Sequence, residues 1–121
     1  MGQVVHFEIT VDNVERANKF YEIFGWKIKS ADMPGVDYWL IDTGNSDVAL
    51  NGAIMPRSYS KQPVILTIGV DDLDSMIEKV KASGGQIDGE KNTIPGIGDF
   101  VYCLDTEGNR FGMLQALPRQ A

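Results

Sequence analysis

Val11-Asp12-Asn13-Val14 is answered 59 residues later by Val70-Asp71-Asp72-Leu73. Gly25-Trp26-Lys27-Ile28 is answered at the same spacing by Gly84-Gly85-Gln86-Ile87. Further on the spacing drifts. Leu40-Ile41-Asp42-Thr43 matches Cys103-Leu104-Asp105-Thr106 at 63, and Ala49-Leu50-Asn51 matches Met113-Leu114-Gln115 at 64. A solenoid repeats every ~20–50 residues, so this period is too long for one. It has the size of four strands and a helix, and two such units use nearly all of the 121 residues.

The elements between these anchors read the same way twice. Val4 to Val11 alternates as a strand, with Phe7, Ile9 and Val11 on one face and His6, Glu8 and Thr10 on the other. Asp12 or Asn13 suits a helix N-cap, followed by an apolar stripe of Val14, Ala17, Phe20, Tyr21 and Phe24. Gly25 closes that helix. Strands are predicted over Trp26 to Ser30, Asp37 to Thr43 and Val48 to Met55, with a polar linker from Pro56 to Gln62. The second unit repeats the order. It has a strand over Val64 to Val70, and a helix capped by Asp71 or Asp72 that buries Leu73, Met76, Ile77 and Val80. After Gly84-Gly85 come a short strand, a loop from Glu90 to Gly98, and strands over Asp99 to Leu104 and Arg110 to Leu117. The expectation is one α+β domain over 1–121, made of β-α-β-β-β units at about 3–56 and 62–117.

Composition narrows the function. Apolar residues make up 43% and charged residues 23%, a globular balance. A net charge of −6 argues against nucleic acid as a partner, because that needs a basic footprint. No apolar run reaches the ~20 residues of a membrane span, and with no basic region leading into an apolar stretch near Met1 no signal peptide is expected. The one cysteine, Cys103, cannot form an internal disulfide, and the expected location is the cytoplasm.

With His6-Phe7-Glu8-Ile9-Thr10-Val11-Asp12 running into Phe20-Tyr21 and Phe24-Gly25, and Asp105 to Gly108 running into Asn109-Arg110-Phe111-Gly112, the chain resembles the vicinal oxygen chelate superfamily. That superfamily includes glyoxalase I, bleomycin-resistance proteins and extradiol dioxygenases. The resemblance implies that both units form a cup-shaped mixed sheet with helices outside and a pocket inside. It also implies a homodimer.

Metal-dependent members hold a divalent ion with His, Glu or Gln from the first and last strand of each unit. At those places this chain offers His6, Ile65, Val48 and Gly112. A catalytic metal commonly needs about three protein ligands, and only His6 qualifies. Glu8 shares its face, while Gln115 has the opposite parity to Gly112 and needs a bulge to turn inward. The expectation is therefore no cofactor and no metal.

The sequence favours binding of a small amphipathic or aromatic molecule in the cup. His6, Glu8, Thr67 and Gln115 are its candidate polar contacts, and Trp39 and Tyr102, matched at 63, its aromatic ones. Each also has a plain structural reading: a satisfied interior histidine, a paired carboxylate, ordinary sheet packing. Two alternatives stand beside this. One is a metal-dependent lyase, isomerase or dioxygenase, and the other is a protein-interaction module. Cys103 lacks a base and an orienting group nearby in sequence and reads as a buried apolar residue.

Overall fold

A computed structural model of the chain describes residues 2–118. The elements run β1 (Val4–Val11), α1 (Val14–Tyr21), a 3-10 turn (Glu22–Phe24), β2 (Lys27–Ser30), β3 (Trp39–Asp42) and β4 (Gly52–Pro56). They continue with β5 (Val64–Gly69), α2 (Leu73–Ala82), β6 (Gln86–Ile87), β7 (Asn92–Ile94), β8 (Gly98–Leu104) and β9 (Arg110–Ala116). The fold is α+β, and the β-α-β-β-β order that the repeat predicts occurs in the first half and again in the second, where the short β7 is added. Two compact units result. One is His6–Ile65, and the other is residues 66–118 with the residues before His6.

In the His6–Ile65 unit the strand order is β2-β3-β4-β1. β4 and β1 run parallel and the other pairs antiparallel. In the other unit the order is β5-β9-β8-β6, with β7 also on β8, and only β5 and β9 are parallel. Each sheet is therefore mixed. Both helices start on the expected caps. The Asn13 side chain accepts the Arg16 N–H at 2.9 Å, and the Asp72 side chain accepts that of Ser75 at 3.2 Å. Gly25 ends the first helical segment with φ 80°, a left-handed conformation that suits glycine.

The helices differ in how they pack. Leu73 of α2 is buried, and Met76, Ile77 and Val80 join it over Val101, Cys103 and Met113. α1 buries no residue fully. Phe20 and Phe24 are 56% and 62% exposed, which corrects their expected place in the core. The aromatic stripe packs on itself instead. Phe20 meets Tyr21 and Phe24 edge-on, and Tyr21 stacks on Trp26 at 5.1 Å.

Two boundaries also change. The strand expected from Val48 is confined to Gly52–Pro56, and Val48 is 91% exposed. The preceding loop is stapled by Thr43, whose N–H donates to Asn51 Oδ1 at 2.9 Å and whose hydroxyl donates to the Leu50 carbonyl at 2.8 Å. The loop expected from Glu90 to Gly98 contains β7, a short hairpin partner of β8 that turns at Pro95-Gly96. Among the described residues no helix is long and apolar enough to cross a membrane.

The register corrects the repeat. Glu8 sits beside Ala53, and Thr67 beside Gly112. The spacing from Glu8 to Thr67 and from Ala53 to Gly112 is 59 in both cases, so the first offset recurs at the last strand. The counterpart of Gly112 is Ala53 and not Val48. In the same way Leu40 faces Ala53 and Tyr102 faces Gly112, so Tyr102 corresponds to Leu40 and not to Trp39.

Candidate functional site

Alternation along β1 puts His6, Glu8 and Thr10 on one face of the His6–Ile65 unit. The register extends that face strand by strand. Ala53 lies beside Glu8, Leu40 beside Ala53, and Lys29 beside Leu40. One step along, Lys27 lies beside Asp42. Of this face His6, Lys27, Lys29, Leu40 and Asp42 border a cleft of about 400 Å³, with Ile28, Ile41, Asn51 and Gly52 also in its lining. This volume is within the ~300–1,000 Å³ range of small-molecule sites.

His6 is fixed by a residue that sequence reading missed. The Tyr38 hydroxyl donates to Glu8 Oε2 at 2.6 Å and lies 2.9 Å from His6 Nε2. The phenol has one hydrogen, and the short bond to the carboxylate uses it. His6 Nε2 therefore donates to the Tyr38 oxygen, a tautomer assigned from this network. The His6 Nδ1 lone pair makes no hydrogen bond among the described residues. Burial pushes the imidazole below the usual histidine range, and the nearby Glu8 carboxylate opposes that shift. Glu8 is only 3% exposed, so Tyr38 meets part of the cost of burying a carboxylate.

The other candidates lie elsewhere. Trp39 alternates with Leu40 and Tyr38, so it turns to the opposite face of the sheet. There it borders a second cleft beside Val14 and Asn18 of α1, and its indole donates to Asp37 at 2.7 Å. Gln115 also takes the helix side. Strand β9 stays regular without the bulge it needed, and Gln115 Oε1 accepts the Leu73 N–H at 2.8 Å, at the first turn of α2. Its expected role as a pocket contact is corrected to that of a helix cap. Thr67 and Tyr102 share a face in the other unit. Thr67 is 2% exposed and its Oγ1 has no hydrogen-bond partner among the described residues. Tyr102 lies between Phe100, edge-on at 4.7 Å, and the Arg110 guanidinium, 3.8 Å from its ring centre.

The donor set does not fit the metal that the resemblance implies. The four ligand places hold His6, Ile65, Ala53 and Gly112. A Cβ at Gly112 would lie 2.5 Å from the Phe100 ring, so an aromatic side chain already fills the space a ligand there needs. Glu8 is engaged by Tyr38. Among the described residues no three His, Cys, Asp or Glu side chains gather to hold an ion. Cys103 is equally unsuited to chemistry, because burial, with a smaller contribution from Asp88, pushes its thiol up to about 11.

Comparison with known proteins agrees with this architecture. The family described as Glyoxalase/Bleomycin resistance protein/Dioxygenase superfamily matches residues 3–113. A glyoxylase-like domain-containing protein of Didymella fabae is 32% identical, with 89% of both chains covered. A protein of Mycobacterium bovis named as a glyoxylase is 29% identical over 98% of this chain but 46% of its own length. The present chain thus spans about half of that relative. A crystal structure of a hypothetical protein from Bacillus halodurans superposes with a TM-score of 0.75 at 15% identity, covering 99% of this chain and 98% of the other, which is a likeness of fold. The match over residues 3–113 and the doubled β-α-β-β-β order place this chain in the glyoxalase/bleomycin resistance protein/dioxygenase superfamily.

Proposed function

We propose that the protein binds a small, partly apolar molecule in the cleft of the His6–Ile65 unit and does so without a catalytic metal. One observation carries this reading. A single histidine, whose Nδ1 makes no hydrogen bond among the described residues, borders a cleft lined by Ile28, Leu40 and Ile41, and Tyr38 and Glu8 hold it in place. A few fixed polar groups on an apolar surface orient a ligand while apolar contact supplies its burial. By resemblance to the family the protein acts as a homodimer in the cytoplasm, which sedimentation and fractionation would check.

The reading is tested on any ligand recovered from a thermal-shift screen. His6→Ala is expected to weaken it about tenfold, or ~1.4 kcal/mol. Trp39→Ala, on the opposite face, is expected to leave it unchanged. A ligand sensitive to Trp39 and indifferent to His6 would move the site to the second cleft.

The His6-Tyr38-Glu8 chain favours a second reading, an enzyme in which His6 Nδ1 takes a proton from the bound molecule. The imidazolium so formed keeps its Nε2–H on the Tyr38 oxygen, with the Glu8 carboxylate one bond beyond. A rate that rises with pH through the His6 titration and falls in Tyr38→Phe with binding intact would support it. Binding without turnover across the same screen leaves the first reading.

A further inference from the structure

We infer that the ligand of this cleft is an anion, a small apolar body with one carboxylate, sulfonate or phosphate group, selected by Lys27 and Lys29. This inference rests on the cleft being the ligand site. The two lysines alternate about Ile28 on β2, so both side chains share the face that carries His6 and Leu40. Neither makes an ion pair or a side-chain hydrogen bond among the described residues, although Lys19, Lys81 and Lys91 each have a carboxylate partner.

The charged groups facing the cleft are few. Asp42 stands opposite Lys27 in the register, but its Oδ1 accepts the Gly44 N–H at 3.0 Å and no ion pair forms. Lys29 is opposite Leu40, which is apolar. Burial holds His6 toward its neutral form, so it adds no charge, and its Nδ1 can only accept a hydrogen bond from the ligand's body. Glu8 lies outside the lining, 3% exposed and engaged by Tyr38, so two ammonium groups stand against one carboxylate and the lining is locally positive. The chain as a whole carries −6, so its wider field repels anions and this patch runs against it. A monoanion brings the lining into balance, while its apolar part covers Leu40. A cation would meet two like charges.

Two dyes of one skeleton test this. One is the sulfonate 1-anilinonaphthalene-8-sulfonate, and the other is the neutral N-phenyl-1-naphthylamine. Fluorescence titration gives the affinities, and amide chemical shifts in the isotope-labelled protein give the location. Both dyes are expected to shift residues 27–29, 40–42 and 51–52. The sulfonate should bind more tightly, and its affinity should fall as salt is added. Lys27→Met with Lys29→Met should weaken the sulfonate about tenfold and leave the neutral dye unchanged. Lys27→Glu with Lys29→Glu should reverse the preference. Circular dichroism confirms that each variant is folded. Equal sulfonate affinity in wild type and both double variants, with the neutral dye still in the cleft, would overturn the anion preference alone. Shifts confined to Phe20–Phe24, or no shifts at the cleft, would overturn the cleft itself as the site.

Discussion

Tyr38 has one hydroxyl hydrogen and two polar neighbours, and that shortage sets the protonation pattern of the site. Its hydrogen goes to Glu8, so His6 has to act as the donor toward it. Tyr38→Phe removes both bonds, one of them a short bond to a buried carboxylate. The expected cost is about 1–3 kcal/mol, read from the urea midpoint at neutral pH. Glu8→Gln removes the charge that supports the imidazolium, so proton NMR should find the His6 pKa lower still. An unchanged His6 titration would separate the two side chains. Burial also ties stability to pH. His6 titrates lower in the fold than in the unfolded chain, whose value is about 6.5. Above that pH both states hold the ring neutral and the group costs nothing. As the pH falls through it, the unfolded chain gains the proton first and stability declines, until the folded ring is protonated too. His6→Gln should flatten that part of the profile. A parallel decline in both proteins would assign it to the carboxylates.

Gly112 shows how one strand position limits what its sheet can hold. It lies beside Thr67 on β5 and Tyr102 on β8, with the Phe100 ring over it. An alanine Cβ would stand 2.5 Å from that ring and 3.1 Å from Thr67 Oγ1. Gly112→Ala is expected to cost about 1–3 kcal/mol through overpacking, and Phe100→Leu should restore part of it. Full stability in Gly112→Ala would show that the ring swings away freely. Much at this scale was legible in the sequence. Both N-caps, the Gly25 stop and the α2 stripe follow from local chemistry, and each is where the residues put it. Pairing was less legible. Val48 looked like strand because its neighbours are apolar, but Thr43 hydrogen bonds close the loop before β4 begins. The Trp39–Tyr102 match slipped separately, because the spacing of 63 is one residue more than the register gives, and one residue of register moves a side chain to the other face. Tyr38 had no local signal at all. It sits just before β3 and reaches Glu8 because β4 intervenes between β3 and β1, a long-range fact that no window of sequence contains.

At the scale of the whole chain, the inventory of donors bears on the metal-free proposal more than any single position does. There is one histidine, and the one cysteine has its thiol pushed up to about 11. The seventeen acidic residues are abundant, but among the described residues no three of these donor types converge. A specific ion would have to recruit Glu8 away from Tyr38 and still lack a third protein ligand. Such an ion binds the folded state weakly, and mass action then gives little stabilisation. Dialysis against a chelator, followed by titration with Zn, Ni or Mn ions, is therefore expected to leave the melting temperature unchanged. The acidic surface will attract divalent ions diffusely, but that association does not saturate at one per chain, fades with salt and ignores His6. The decisive comparison is wild type against His6→Ala at equal ionic strength. A melting temperature that rises to a plateau near one equivalent in wild type, and not in the variant, would establish a metal site built on His6 and refute the metal-free reading.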